Sequence, residues 1–186
     1  MVLPPELEAF WNELHAARAE VLREVEELAQ PQLDWRPAEN EWSIGEVIHH
    51  LTLGEISTGK LTTKLLREAE AVGTLRPRPE GRTFFERLPP PPMPRPTGVA
   101  ETPPHIWPEH GRSKGNLLAG INAAREKSRQ NFERIAAIDP RPLVWKHATA
   151  GNLHLGQYWT IMLIHDGIHI EQIRNLKIAP GFPRAQ

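Results

Sequence analysis

Two histidines four residues apart, His165 and His169, stand in a segment whose apolar residues repeat at helical spacing. At about 100° per residue, Tyr158, Ile161, Met162, His165, His169, Gln172, Ile173 and Leu176 fall within roughly a third of a helix circumference. The two imidazoles and the Gln172 amide therefore belong to the inward stripe. Left unpaired there, each would cost on the order of 1–3 kcal/mol, so partners are required. Residues i and i+4 stack one turn apart on one face, which suits two ligands of a single ion. Two ligands do not complete a site, and the third has to come from another helix. The segment with Ile44, Val47, Ile48, Leu51 and Leu65 supplies His49 and His50. On its wheel His50 lies at the margin of the apolar stripe, and His49 points nearly opposite, toward solvent. Three imidazoles, His50, His165 and His169, would converge in the core and leave coordination positions open for water or substrate, the arrangement of a catalytic metal.

Plainer readings compete. A single core histidine is more often hydrogen-bonded than ligating, and a His-x-x-x-His pair arises by chance in many helices. The pair at the centre of a core stripe, with a third inward histidine elsewhere, is the more specific signal. His15, His105, His110, His147 and His154 read as surface or loop residues. His165-Asp-Gly-Ile-His169 invites comparison with metalloproteases that carry a Glu after the first ligand, but Asp166 is shorter and sits about 100° off the ligand face, and Gly167 is a poor helix former. Glu55 falls on the apolar stripe of its helix, close in angle to Ile44 and Leu51. A buried carboxylate needs a cation, a hydrogen-bond network or a metal. Glu55 is thus a candidate to orient a ligand or to act as a catalytic base, with a salt bridge at the edge of the helices as the plain alternative.

Four long helices are needed to hold these residues. Leu3, Leu7, Phe10, Leu14, Ala17, Val21, Val25 and Leu28 form one stripe, with Arg18 among the residues mostly off it, and predict a helix over about 5–29 that Pro31 ends. Ser43, with Glu46 three residues on, forms a capping box for a second helix that runs to about Val72 and stops at Gly73. A third is predicted over about 114–137 and a fourth over about 155–177, joined by a short loop through Trp145 and His147. No strand pattern is apparent. Between the second and third helices, about 74–113, lies a segment with eleven prolines from Pro77 to Pro108. It can be neither helix nor inner strand, and it makes sense as a crossover that lets two consecutive helices run parallel, pinned by Trp107, Phe84 and Phe85. The expectation is one all-α domain, 1–186, a four-helix bundle with a long proline-rich crossover.

Composition narrows the function classes. With 22 basic and 23 acidic residues the chain of 186 is nearly neutral, so nothing draws it to nucleic acid or an anionic membrane. There is no cysteine, which excludes disulfides, thiolate ligands and a cysteine nucleophile. No signal peptide is apparent and no run approaches the roughly 18 apolar residues of a membrane span, so a cytoplasmic location is expected.

The residues Trp35-Arg-Pro, Trp42 and Ser43-Ile-Gly-Glu-Val-Ile-His-His50-Leu-Thr-Leu-Gly-Glu55, taken with Leu155-Gly-Gln-Tyr-Trp and His165-Asp-Gly-Ile-His169-Ile-Glu-Gln172-Ile, resemble the DinB/YfiT-like superfamily. The resemblance implies a four-helix bundle, often a homodimer, that binds a divalent metal, commonly nickel or zinc, through three histidines matching His50, His165 and His169. It also implies activities such as thiol S-transfer or isomerisation with a low-molecular-weight thiol, or metal-dependent hydrolysis. Two other readings stand beside an enzyme acting on a small-molecule substrate. One is a non-catalytic module stabilised by its metal. The other is a binding protein whose Pro89–Pro92 run is a polyproline ligand.

Overall fold

The structure, a computed structural model, describes residues 2–79, 102–147 and 150–184. These are mostly helical. The five α-helices among them are α1 (Pro5–Val25), α2 (Gln30–Asp34), α3 (Ile44–Ala71), α4 (Lys114–Ile135) and α5 (Leu155–Lys177). A 3-10 turn spans Pro104–Ile106, and two antiparallel strands, β1 (Val144–His147) and β2 (Gly151–His154), pair Val144 with His154 and His147 with Gly151. None of the helices is long and apolar enough to cross a membrane among the described residues.

Local chemistry explains the boundaries. Ser43 accepts from the Glu46 N–H while the Glu46 carboxylate accepts from the Ser43 N–H, the reciprocal cap predicted for α3. Gly73, at φ +66°, ends it in the left-handed region where only glycine is unstrained. Two boundaries differ from the sequence reading. Pro31 opens α2 instead of closing the helix before it, because proline's missing N–H is harmless in a first turn. The loop through Trp145 and His147 is the hairpin β1–β2: Val144, Trp145 and Lys146 are exposed but β-branched or aromatic residues lead the strand, and Gly151 at φ +75° serves the turn.

The relative directions of the long helices follow from side-chain pairs. Gly45 lies against Leu117 and Gly59 against Asn131, while Arg134 donates to Thr63, so α3 and α4 run parallel. Arg18 meets Asp166 and Glu24 meets Lys177, so α1 and α5 are parallel too. His50 facing His165 and His169 then sets α3 against α5. Parallel consecutive helices need a long connection. Of that connection, residues 80–101, with Phe84, Phe85 and Pro89–Pro92, lie outside the described residues. Its described ends touch the helical body: Arg78 N–H donates to the Ala137 carbonyl, and Trp107, 41% exposed, meets Trp42 edge-on.

The apolar core is divided. One cluster holds Leu7, Leu14, Leu65, Phe132, Leu155 and Trp159; the other holds Val21, Ile44, Leu51, Ile121, Ile170 and Ile173. In each long helix a buried charged residue stands between its contributions to the two: Arg18 in α1, Glu55 in α3, Arg125 in α4 and Asp166 in α5. His50, His165 and His169 lie on α3 and α5 near this polar level.

Candidate metal centre

His50 projects from the second turn of α3, in a helix whose start is fixed by the Ser43 cap. His165 and His169 project from the middle of α5, which His154 caps by accepting the Gln157 N–H on Nδ1. The three imidazoles form a group whose ligand atoms all lie within 4.8 Å of one another. His165 Nε2 is 2.9 Å from His50 Nε2 and 3.0 Å from His169 Nε2. His50 and His169 are buried and His165 is half-buried.

The outer nitrogens decide the tautomers. His50 Nδ1–H donates to the Ile106 carbonyl at 3.0 Å, and His169 Nδ1–H donates to Gln172 Oε1 at 2.7 Å. Both oxygens only accept, so in neutral rings the Nε2 atoms of His50 and His169 are bare lone pairs. Both lone pairs face His165 Nε2. One proton on that nitrogen serves only one of them, and the other lone pair is left without a donor. A cation satisfies all three at once. Nitrogens about 2.1 Å from a common ion stand roughly 3–3.5 Å apart for angles near 90–110°, close to the two short separations found. A carbonyl and an amide oxygen behind the rings are the usual orienting partners of metal-bound imidazoles. The residues present fit a divalent metal ion.

Electrostatics keep the rings in the ligating form. Burial pushes His169 down to about 3, with His50 adding to the effect and the Gln172 hydrogen bond opposing it. Burial also drives His165 well below its ordinary value, helped by His169 and His50. His50 is lowered by burial, against the hydrogen bond to Ile106. All three are neutral at pH 7, as ligation requires.

His49 corrects the wheel reading. It is 8% exposed, not solvent-facing, because the segment returning to α4 covers that side of α3, and its Nδ1 accepts the Glu109 N–H at 2.8 Å. The same segment brings His110 to Glu46, which also pairs with Arg36. Trp42 packs on the His50 ring with centroids 4.8 Å apart.

Glu55 is brought to arginines and not to the imidazole cluster. At 1% exposure it lies 3.0 Å from Arg18 Nη1 through one oxygen and 3.0 Å from Arg125 Nε through the other. Asp166, also 1% exposed, receives Arg18 through two bonds of 3.0 and 2.8 Å and lies 3.4 Å from Arg125 Nη2. Burial works to lower the Arg18 pKa, but Asp166 and Glu55 outweigh it and raise it. For Arg125 burial wins over Glu55, with Arg18 adding repulsion, and its pKa falls. Sequence reading placed Arg18 and Asp166 off the inward faces and gave Arg125 no role. A signal was there: Leu14-Arg18-Val21 and Ile121-Arg125-Ser128-Phe132 keep apolar spacing with a charge substituted on the stripe.

A family model of the DinB superfamily matches residues 13–173. No curated protein and no solved structure matches the chain. The matched stretch takes in most of α1, all of α3 and α4, α5 through Ile173, and all three clustered histidines. The chain belongs to the DinB superfamily.

Proposed function

We propose that this protein is a four-helix-bundle enzyme that holds one divalent metal ion, nickel or zinc, on His50, His165 and His169 and uses it to activate a small thiol or water. The observation that carries the proposal is the meeting of three Nε2 atoms, two of them on rings whose outer N–H groups are already committed. When bound, a divalent ion supplies a nucleophile at neutral pH by lowering the pKa of a thiol or water.

The chain's own residues do the rest. Ile106 and Gln172 hold two rings at fixed rotation with Nε2 inward. Gly54 leaves room beside His165, since a Cβ there would sit 3.6 Å from its Cε1. Three protein ligands leave a coordination position open, which favours a catalytic site over a closed structural one. Glu55, held by two guanidinium groups, is assigned to positioning and not to proton abstraction. Thiol S-transfer is favoured over hydrolysis on family grounds, and a cytoplasmic homodimer belongs to the same proposal, tested by sedimentation and cell fractionation.

Metal analysis of protein purified without a histidine tag should find about one nickel or zinc per chain, and His169→Ala should find almost none. Metal-loaded protein given a low-molecular-weight thiol and a chlorinated aromatic acceptor should then turn over, with chelation abolishing the rate. Equal metal content in the two proteins would sink the site. Metal binding without metal-dependent thiol transfer would remove the transferase reading and leave hydrolysis or a structural role.

A further inference from the structure

The chain buries two arginines and two carboxylates at one level of the core, one from each long helix, and the metal reading leaves them unused. Arg18, Glu55, Arg125 and Asp166 alternate in sign, and each faces two opposite charges at 2.8–3.4 Å. Yet they are not fully satisfied. The contacts of Arg18 Nη1 and Arg125 Nε with the Glu55 oxygens fall outside hydrogen-bonding geometry, and Arg125 Nη1 is buried with no hydrogen-bond partner among the described residues. Apolar side chains of equal volume would often serve stability as well or better. Net stabilisation is therefore a weak reason for the belt, and its geometry offers another. Asp166 follows the ligand His165 directly, and its two bonds to Arg18 set the rotation of α5 about its own axis. Glu55 follows Gly54, where an added Cβ would meet the His165 ring, and its two ion pairs set the height of α3 against α1 and α4.

Resting on the metal reading above, we propose that this four-charge belt positions the metal centre: it locks α3 and α5 at the rotation and height where the Nε2 atoms of His50, His165 and His169 converge. The residues are positioning residues, since none joins the imidazole cluster. Turning α5 by even a fraction of a residue carries His165 and His169 off the point shared with His50, while α5 stays helical and packed.

The test is cobalt(II) titration of metal-free full-length protein, read by its visible absorption and paired with thermal melting. Arg18→Met with Asp166→Leu removes one charge of each sign and leaves Glu55 and Arg125 paired with each other. This double variant should melt cooperatively, bind cobalt about 10–100-fold more weakly than wild type and show an altered cobalt spectrum. A second double variant, Glu55→Met with Arg125→Met, keeps the Arg18–Asp166 pair and should shift affinity in the same direction. Wild-type affinity and spectrum in either folded double variant overturn the proposal. Cobalt binding by wild type and its loss in His169→Ala keep the metal reading standing independently of that outcome. Absence of cobalt binding by wild type overturns both.

Discussion

Three neutral imidazoles in the interior make the metal-free protein acid-labile in a window that carboxylates do not share. His169 sits at about 3 in the fold against an ordinary 6.5, because burial and the neighbouring His50 disfavour its charged form. A depressed folded-state pKa means that the unfolded chain binds the proton first. The stability contribution is therefore complete above pH 6.5 and is lost as pH falls toward 3. For one group with these two values, linkage gives a loss of about 2 kcal/mol between pH 7.5 and pH 5. His50 and His165 are shifted the same way by burial, as are His49 and His147, and add to the loss. Glu24, Glu46 and Asp139 are also held low, but from ordinary values of 4.5, 4.5 and 3.8, so they act mainly below this window. The assay is thermal or urea unfolding of chelator-treated protein from pH 7.5 to 5. For a chain of this size, 2 kcal/mol corresponds to a melting shift of roughly 4–8 °C. His169→Leu should lose about that much of the pH dependence. A melting temperature that stays flat from pH 7.5 to 5 in wild type would show that the rings are wet and separable, and the convergent cluster would be wrong.

Gln172→Leu leaves the His169 Nδ1–H without its acceptor at 2.7 Å, so zinc or nickel affinity should fall about 10–100-fold in a competition titration; unchanged affinity would remove Gln172 from the site. Gly54→Ala should keep its metal, because a Cβ 3.6 Å from His165 Cε1 is an ordinary contact, whereas Gly54→Leu should displace the ring and yield metal-poor protein by elemental analysis. Asp166→Asn leaves two buried guanidinium groups short of a charge and should cost about 3–5 kcal/mol in urea unfolding, a penalty the paired Arg18→Met and Asp166→Leu change avoids. A loss below about 1 kcal/mol would mean that the pocket admits water.

How much of this was legible in the sequence depends on which signal each residue carried. The span of α5 and the capping box of α3 follow from local chemistry, and the structure shows both. His165, His169 and His50 were found because imidazoles interrupt apolar stripes that are otherwise continuous. Arg18 and Asp166 were not, for a physical reason. A wheel assumes one buried face, but α5 is buried on two: one carries the histidines against α3, the other carries Asp166 against Arg18 of α1. His49 was misread because the side of α3 it faces is covered by residues over fifty positions away in sequence, which no helical periodicity reports. The hairpin β1–β2 escaped because two four-residue strands hardly establish alternation, and its turn glycine was the surviving cue.

The placement of His50 shows why the segment before α4 belongs to the site. Its ring is held from behind by the Ile106 carbonyl and on its face by Trp42, which in turn meets Trp107. Two turns of α3 thus carry the clustered His50 and seat residues 106–110, through His50, His49 and Glu46. Linkage makes the two roles reciprocal: whatever fixes the His50 ring stabilises the docked segment, and loosening the segment frees the Nδ1–H and lets the ring turn. On α5 the orienting oxygen comes instead from Gln172, three residues from His169 in the same helix, so that hydrogen bond needs no tertiary partner. His169 is therefore set by local helix geometry and by the belt that orients α5, whereas His50 depends on a distant stretch of chain. Of the three imidazoles, His50 is the one whose outer nitrogen is hydrogen-bonded outside the helices that bear the cluster.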